Sequence, residues 1–389
     1  MKIAIVTPWP PQLTGIADYS YDLVGGLLKQ GHDVTVISEV LEPKQLEGLK
    51  IRLPAMLEEA EIKQFDKIVY QIGNNSDFHL FQLPLLMKYP GVIHLHDMVL
   101  HHLMAWVLYI HGSISLYRRV LSKWYGPEIS KLAVMRILDV NSVGIWGSPE
   151  VINIPFFEEV LQHSDGCITH SLFSKKKINH VFPQLNCQVI PQVYFGMNIK
   201  HAAKSNRLSI GIFGGVSKNK RLDIILYSLA KCKMAVNTVE LNIIGTVDDD
   251  CLIFKELATE LNLDSIVNWY GRLDEVEFLN KLQSTDLCIS LRSPTMGEVS
   301  AIVMRVCQSA IPVIVSDIGW YSELPEFIPK IKPDTATEVD ELTNLIQEFI
   351  DSTESSKKIG EQARNYALNE FNFDKTIEEY VEILKEITA

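Results

Sequence analysis

A chain of 389 residues, 47% hydrophobic and 22% charged, is too long for one ordinary hydrophobic core and reads as two globular domains. Its formal net charge of −12 argues against general nucleic-acid binding. Six scattered cysteines without a C-x-x-C pair point to buried, reduced thiols in a cytoplasmic protein. There is no signal-type apolar segment and no uncharged apolar window approaching about 18 residues.

The unbroken apolar run Lys2–Val6 predicts a strand buried on both faces. A loop containing Pro8, Pro10, Pro11 and Gly15 leads into a helix predicted over 16–29, with Tyr19, Leu23, Leu27 and Leu28 on one side. Val34–Ile37 predicts the second strand, so the opening is a βαβ unit of a doubly wound α/β domain. The single Gly15 replaces any G-x-G-x-x-G fingerprint, which counts against a nicotinamide or flavin enzyme.

Lys67–Gln71 and Val92–Leu95 predict further strands. The first ends in the polar turn Gly73-Asn74-Asn75, the second in His96-Asp97. A histidine at a strand's carboxyl end suits hydrogen bonding or acid–base work; Asp97 as the cap of a following helix is the plainer alternative. His94, His96, His101 and His102 have spacings that match no zinc motif, so no metal is expected, and Asp248–Asp250 reads as a solvated loop. Residues 117–136 form a basic helix with Leu116, Val120, Leu121 and Trp124 on its apolar side. It reads as a cover for the first domain, with peripheral contact to an anionic membrane face as the alternative. A strand is predicted over 168–171, with Lys175, Lys176 and Lys177 at a helix start.

From Phe195 to Arg207 the pattern loosens into a polar linker, and βα alternation then restarts. Strands are predicted over 208–213, 240–244 and 267–270, the last ending in Gly271-Arg272, with helices over 222–230, 254–261 and 275–283. Between the first of these strands and its helix lies Gly214-Gly215-Val216-Ser217-Lys218-Asn219-Lys220-Arg221. Glycines allow close backbone approach and the cations can neutralise a diphosphate.

The stretch 291–326 follows an apolar strand, 286–291, and runs through a turn with Pro294, Gly297 and Glu298 into a helix opened by Ser300. A strand, 312–316, follows. A serine-led helix start behind a glycine turn offers backbone N–H groups to an anion. Glu298, which would repel a phosphate, suits sugar hydroxyls. Phosphate beside polyol describes a sugar nucleotide. A final amphipathic helix is predicted over 373–387.

Taken together these motifs resemble the retaining family 4 glycosyltransferases of GT-B architecture, over nearly the whole chain. P-P-Q-L-T-G-I-A-D-Y-S is similar to the family's first loop and helix, implying that Gly15 and Ile16 face the donor diphosphate, with Asp18 nearby. V-I-H-L-H-D resembles the strand carrying the active-site histidine, implying His96; H-S-L-F-S at 170–174 resembles the late strand–helix turn. G-G-V-S-K-N-K-R resembles the phosphate loop, with Lys220 matching the family lysine, Gly215 replacing an arginine and Arg221 standing where glycine is frequent. R-S-P-T-M-G-E-V-S resembles a subset's approach to the two-glutamate signature: Glu298 falls within one residue of the first glutamate, whose family role is contact with the donor sugar, and Arg305 occupies the place of the second, which binds ribose.

The resemblance implies two Rossmann-like domains, 1–200 for the acceptor and 207–372 for the nucleotide sugar, with helix 373–389 crossing back to the first. It implies a retaining, metal-independent glycosyltransferase moving a sugar from a UDP- or GDP-linked donor to a glycan or glycolipid, in the cytoplasm or at the inner membrane face. His96 and Glu298 are the expected catalytic residues. Gly15, Ile16, Gly214, Gly215, Lys220, Arg221, Arg272, Gly297, Val299, Ser300 and Arg305 are the expected donor contacts, and Asp18, Asn74, Asn75 and Asp97 the expected acceptor contacts. The departures at Gly215 and Arg305 motivate an alternative, a non-catalytic subunit with a degenerate donor site.

Overall fold

The computed structural model describes residues 1–139, 142, 144–192, 207–232 and 238–387. Most of the polar linker expected at 195–207 lies outside these. The chain divides into two units. The first comprises Met1–Phe195, Met296–Val299 and Phe373–Ala389; the second comprises Gly196–Thr295 and Ser300–Asn372.

The first unit is built on seven parallel strands: β1 (Lys2–Val6), β2 (Asp33–Ile37), β3 (Lys50–Arg52), β4 (Lys67–Ile72), β5 (Gly91–Leu95), β6 (Ser164–Thr169) and β7 (Cys187–Val189). Their spatial order is β3-β2-β1-β4-β5-β6-β7. The chain winds outward from β1 in one direction, then returns to β4 and winds the other way, so the loops after β1 and β4 diverge at a topological switch point. The strands are continuous apolar runs because both faces are covered. One face packs against Tyr19, Leu23 and Leu27 of the Gly15–Lys29 helix and Ile377, Tyr380 and Leu384 of the Phe373–Glu386 helix. The other packs against Leu86, Leu103, Leu121 and Phe156. Each such side chain, fully buried, contributes about 1.5–3 kcal/mol.

Two expectations need correction here. The strand placed at 168–171 is Ser164–Thr169; Ser171 caps the following helix instead, its hydroxyl accepting from the Ser174 N–H at 3.1 Å. The basic helix spans Ile114–Leu138 and is broken at Gly126, whose φ of 83° and following proline interrupt the ladder. Tyr117, Val120 and Leu121 are buried, and Leu116 and Trp124 pack against the same core. Leu132, Met135 and Leu138, in the second half of the same helix, remain exposed. Among the described residues no helix is long and apolar enough to cross a membrane.

Buried beside this helix, His101 donates from Nδ1 to the Ile154 carbonyl (2.6 Å), leaving Nε2 to accept from the Tyr117 hydroxyl (2.6 Å). Burial, its largest influence, pulls its pKa down from 6.5 to about 4. The folded pKa lies below the unfolded one, so the unfolded chain takes up the proton first as pH falls. The stability at stake is intact above pH 6.5 and lost progressively towards pH 4, by about 3 kcal/mol. Urea unfolding at pH 7.5 and 4.5 should show that this fall is smaller in His101→Gln, whose amide has a donor and an acceptor but does not titrate. Equal falls in the two proteins would remove His101 as the cause.

The second unit holds β8 (Leu208–Phe213), β9 (Val239–Ile244), β10 (Val267–Gly271), β11 (Leu287–Ser290), β12 (Val313–Ser316) and β13 (Lys330–Ile331), all parallel, in the order β10-β9-β8-β11-β12-β13. Its switch point lies between β8 and β11. The helix Leu222–Lys231 packs Leu226 and Leu229 onto this sheet together with Leu342 and Ile346 of Glu338–Asp351. The structure adds β13 and the helices Glu338–Asp351 and Thr353–Glu370 to the elements expected from sequence. All six cysteines are free and buried.

Candidate functional site

In the second unit the chain leaves β8 at Phe213 and turns through Gly214, whose φ of 86° favours glycine. The turn is crowded: a Cβ on Gly245, at the end of β9, would come within 2.3 Å of the Gly214 carbonyl oxygen. Lys220 folds back over it, its ammonium donating to the Phe213 carbonyl at 3.0 Å and standing 2.9 Å from where a Gly214 Cβ would be. Gly215 is exposed. The neighbouring loop after β11 is tied to this one. Ser293 N–H donates to the Asn219 carbonyl (2.8 Å) and Arg292 Nη1 to the Asn219 side chain (3.2 Å), while the Arg292 N–H bonds Ser316 at the end of β12 (2.8 Å). Ser300 caps the helix Ala301–Gln308, accepting from Val303 N–H at 3.3 Å. Ile302, in that helix's first turn, lies 4.0 Å from the Gly214 Cβ position. Gly214, Lys220 and the helix opened by Ser300 thus meet at the switch point, where open α/β sheets bind ligands.

At a φ of 53° the Arg221 side chain pairs with Asp334 (2.5 Å), Glu338 (2.9 Å) and Asp223 (3.8 Å). Arg272 is exposed beyond the edge strand β10. Arg305 sits in the Ala301–Gln308 helix with its guanidinium 5.9 Å from the Phe278 ring, which meets Phe213 edge-on at 5.4 Å. That helix starts at Ala301, so Glu298 lies before it, in the turn that leads to the Ser300 cap.

The segment Met296–Val299 belongs to the first unit. Its backbone accepts from Val99 N–H at Met296 (2.9 Å) and from the Ser174 hydroxyl at Gly297 (3.2 Å). Gly297 has φ 75°, and a Cβ there would stand 2.5 Å from the Met98 Cβ. The half-buried Glu298 carboxylate accepts from the Met296 N–H at 2.6 Å.

At the first unit's switch point, Ile16 and Asp97 converge on Gly73, where a Cβ would be 2.4 Å from Ile16 Cδ1 and 3.0 Å from Asp97 Oδ2. Gly15 and Asp18 are exposed at the start of the same helix as Ile16. Asp97 accepts from Asn74 N–H (2.9 Å) rather than capping the helix His101–Ala105. Asn74 takes that work: its side-chain oxygen accepts from His102 N–H (3.0 Å) and Leu103 N–H (3.3 Å). Asn75 caps the next short helix through Asp77 N–H (2.9 Å). Asn74, Asn75 and Asp97 line a cleft of about 600 Å³ whose other wall includes Trp106, Tyr109 and Trp146. The sequence reading did not include those aromatics, although W-V-L-Y-I directly follows the histidine-rich segment.

His96 does not face this cleft as a free acid–base group. It is buried, with Nε2 2.6 Å from Gln71 Oε1 and Nδ1 3.2 Å from His170 Nε2. His94 and His170 complete a buried trio stacked under Tyr19, with ring centroids 4.9–5.4 Å from it. Burial holds all three imidazoles below their usual pKa, His170 at about 4.

Two doubly wound parallel sheets, each with its switch point flanked by glycine-bearing loops, define the GT-B architecture. No protein-family model matches the sequence, and no curated protein is similar to it. Among solved structures, the chain is similar to HepE from Anabaena in complex with UDP and glucose (16% identity, 99% of this chain and 100% of that one, TM-score 0.65). It is also similar to sucrose-phosphate synthase from Thermosynechococcus elongatus (14%, 100% and 99%, TM-score 0.66). A third is WaaG, a glycosyltransferase involved in lipopolysaccharide biosynthesis (13%, 98% and 99%, TM-score 0.63). At these identities the likeness establishes the fold.

Proposed function

We propose that this protein is a retaining glycosyltransferase that moves a sugar from a nucleotide-diphosphate donor to a glycan or glycolipid acceptor without a metal at the diphosphate. The observation that carries the reading is the Lys220 ammonium held over the Gly214 turn beside the helix opened by Ser300. As the donor bond breaks, negative charge grows on the leaving diphosphate, and a fixed cation and helix N–H groups stabilise it without reorganising. Glu298 then serves the donor sugar's hydroxyls. The cleft at Asn75, Asp97, Trp106 and Trp146 suits an acceptor sugar, whose apolar face can lie on aromatic rings while its hydroxyls meet polar groups. HepE has been solved with UDP and with UDP-glucose, which makes uridine the first base to try.

The test is a thermal-shift series with UDP, GDP, ADP and their sugar derivatives. A ligand at 100 times its Kd stabilises by about 2.7 kcal/mol. One nucleotide raising Tm, followed by its sugar derivative being consumed with an acceptor panel, is the expected result. A second reading, a binding subunit without turnover, is favoured by the pairing of Arg221 with carboxylates and by Arg305 standing where the family resemblance expects a ribose-binding glutamate. Binding without turnover across the panel would select it.

A further inference from the structure

His94 and His96 alternate along β5, which puts both side chains on one face of the sheet. The parallel register pairs His94 with Ile168 and Leu95 with Thr169, so the next residues, His96 and His170, follow side by side. All three imidazoles are buried, and one ring nitrogen from each lies within 4.8 Å of one from each of the others.

The hydrogen bonds define which nitrogens remain. His170 Nδ1 faces the Ile190 carbonyl at 2.9 Å, an acceptor only, so it carries the proton and Nε2 is a lone pair. In the tautomer that donates from Nε2 to Gln71 Oε1 at 2.6 Å, His96 keeps Nδ1 as a lone pair. His94 Nδ1 faces the Tyr380 hydroxyl at 3.3 Å, and its Nε2 is buried without a hydrogen-bond partner. Two lone pairs, His96 Nδ1 and His170 Nε2, therefore stand 3.2 Å apart with a third unsatisfied nitrogen in the same cluster. Such a pair needs an electrophile between its members. Two nitrogens bonded tetrahedrally to zinc at about 2.0–2.1 Å are about 3.3 Å from each other. Each ring also has its second nitrogen on an oxygen (Ile190, Gln71 or Tyr380), the outer-shell pattern that orients metal-bound imidazoles.

We propose that His94 Nε2, His96 Nδ1 and His170 Nε2 bind a divalent first-row transition ion, with Zn²⁺ as the first candidate. The ion ties β5 to the turn after β6 beneath Tyr19. This assignment departs from the expectation, drawn from the histidine spacings, of no metal: the third ligand comes from the turn after another strand. It is independent of glycosyl transfer, since the ion would bind whether or not the chain has turnover.

The test uses the full chain, stripped with chelator and then given ZnCl₂ or CoCl₂ alone. About one zinc per chain by mass spectrometry after gel filtration, a zinc-dependent rise in Tm, and intense visible absorption of four-coordinate Co²⁺ are expected. His170→Gln and His94→Gln should lower the retained zinc at least tenfold, while His180→Gln, altering an exposed histidine elsewhere, should not. If the variants fail to fold, the Co²⁺ spectrum of the unaltered chain decides alone. No retained metal with no cobalt band, meaning a proton rather than an ion joins His96 to His170, overturns the proposal; so does full retention in a folded His170→Gln.

Discussion

Lys220→Ala is expected to lower sugar transfer by about 10²-fold or more and to abolish the nucleotide-dependent rise in Tm. Losing one preorganised donor to a developing anion costs about 10²–10³ in rate in comparable settings. The lysine is already positioned: its ammonium is 3.0 Å from the Phe213 carbonyl at the end of β8, so little ordering remains when the diphosphate arrives. Its neighbours do not replace it. Lys218 is exposed in the same short helix, and Arg221 is held by Asp334 and Glu338. Stability should fall little, because Lys220 itself sits in a partly exposed loop. Glu298→Ala should lower turnover at least tenfold while leaving the UDP shift in place, since it addresses the sugar rather than the nucleotide. Steady-state rates with sugar nucleotide and acceptor, beside UDP shifts for each variant, separate the two roles. Rates matching the unaltered protein in both would defeat the assignment.

Much of the fold was legible because parallel strands buried on both faces leave continuous apolar runs, as at Lys2–Val6 and Leu208–Phe213. β3, β7 and β13 carry three residues or fewer, too short for a pattern. The loops of the candidate donor site were legible because glycine, lysine and serine at strand ends have local meaning. What each cation does was not. Arg221 finds Asp334 and Glu338 across 113 and 117 residues of sequence, and no local pattern shows a carboxylate that distant. Asn74 is similar: it read as a polar turn residue, yet its oxygen closes the helix at His101, a matter of tertiary placement. His170 joined His96 only once the β5–β6 register was known.

Arg221→Ala should destabilise the protein by about 3–5 kcal/mol, the cost of leaving one member of a buried ion pair uncompensated. The exposed carboxylate in this cluster, Asp334, can turn to water, but the Glu338 side chain is only 2% exposed. Burial already raises the Glu338 pKa, with the Asp334 N–H and then Arg221 opposing that rise. Without the arginine the carboxyl has one way to avoid the penalty, which is to bind a proton. The loss should therefore be largest at neutral pH and shrink as pH falls through the raised pKa, where the neutral acid needs no cation. Backbone conformation adds a second handle. Arg221 sits at φ 53°, where a side chain costs about 1–2 kcal/mol relative to glycine. Arg221→Gly loses the same ion pair but relieves that strain, so it should be less damaging than Arg221→Ala by about that amount. Glu338→Gln added to Arg221→Ala should recover most of the loss by removing the stranded charge. Urea unfolding of the four proteins at pH 7.5 and 5 measures every term. An Arg221→Ala loss below about 1 kcal/mol at both pH values would mean that Glu338 is neutral in the native protein and that Arg221 is available to a ligand after all.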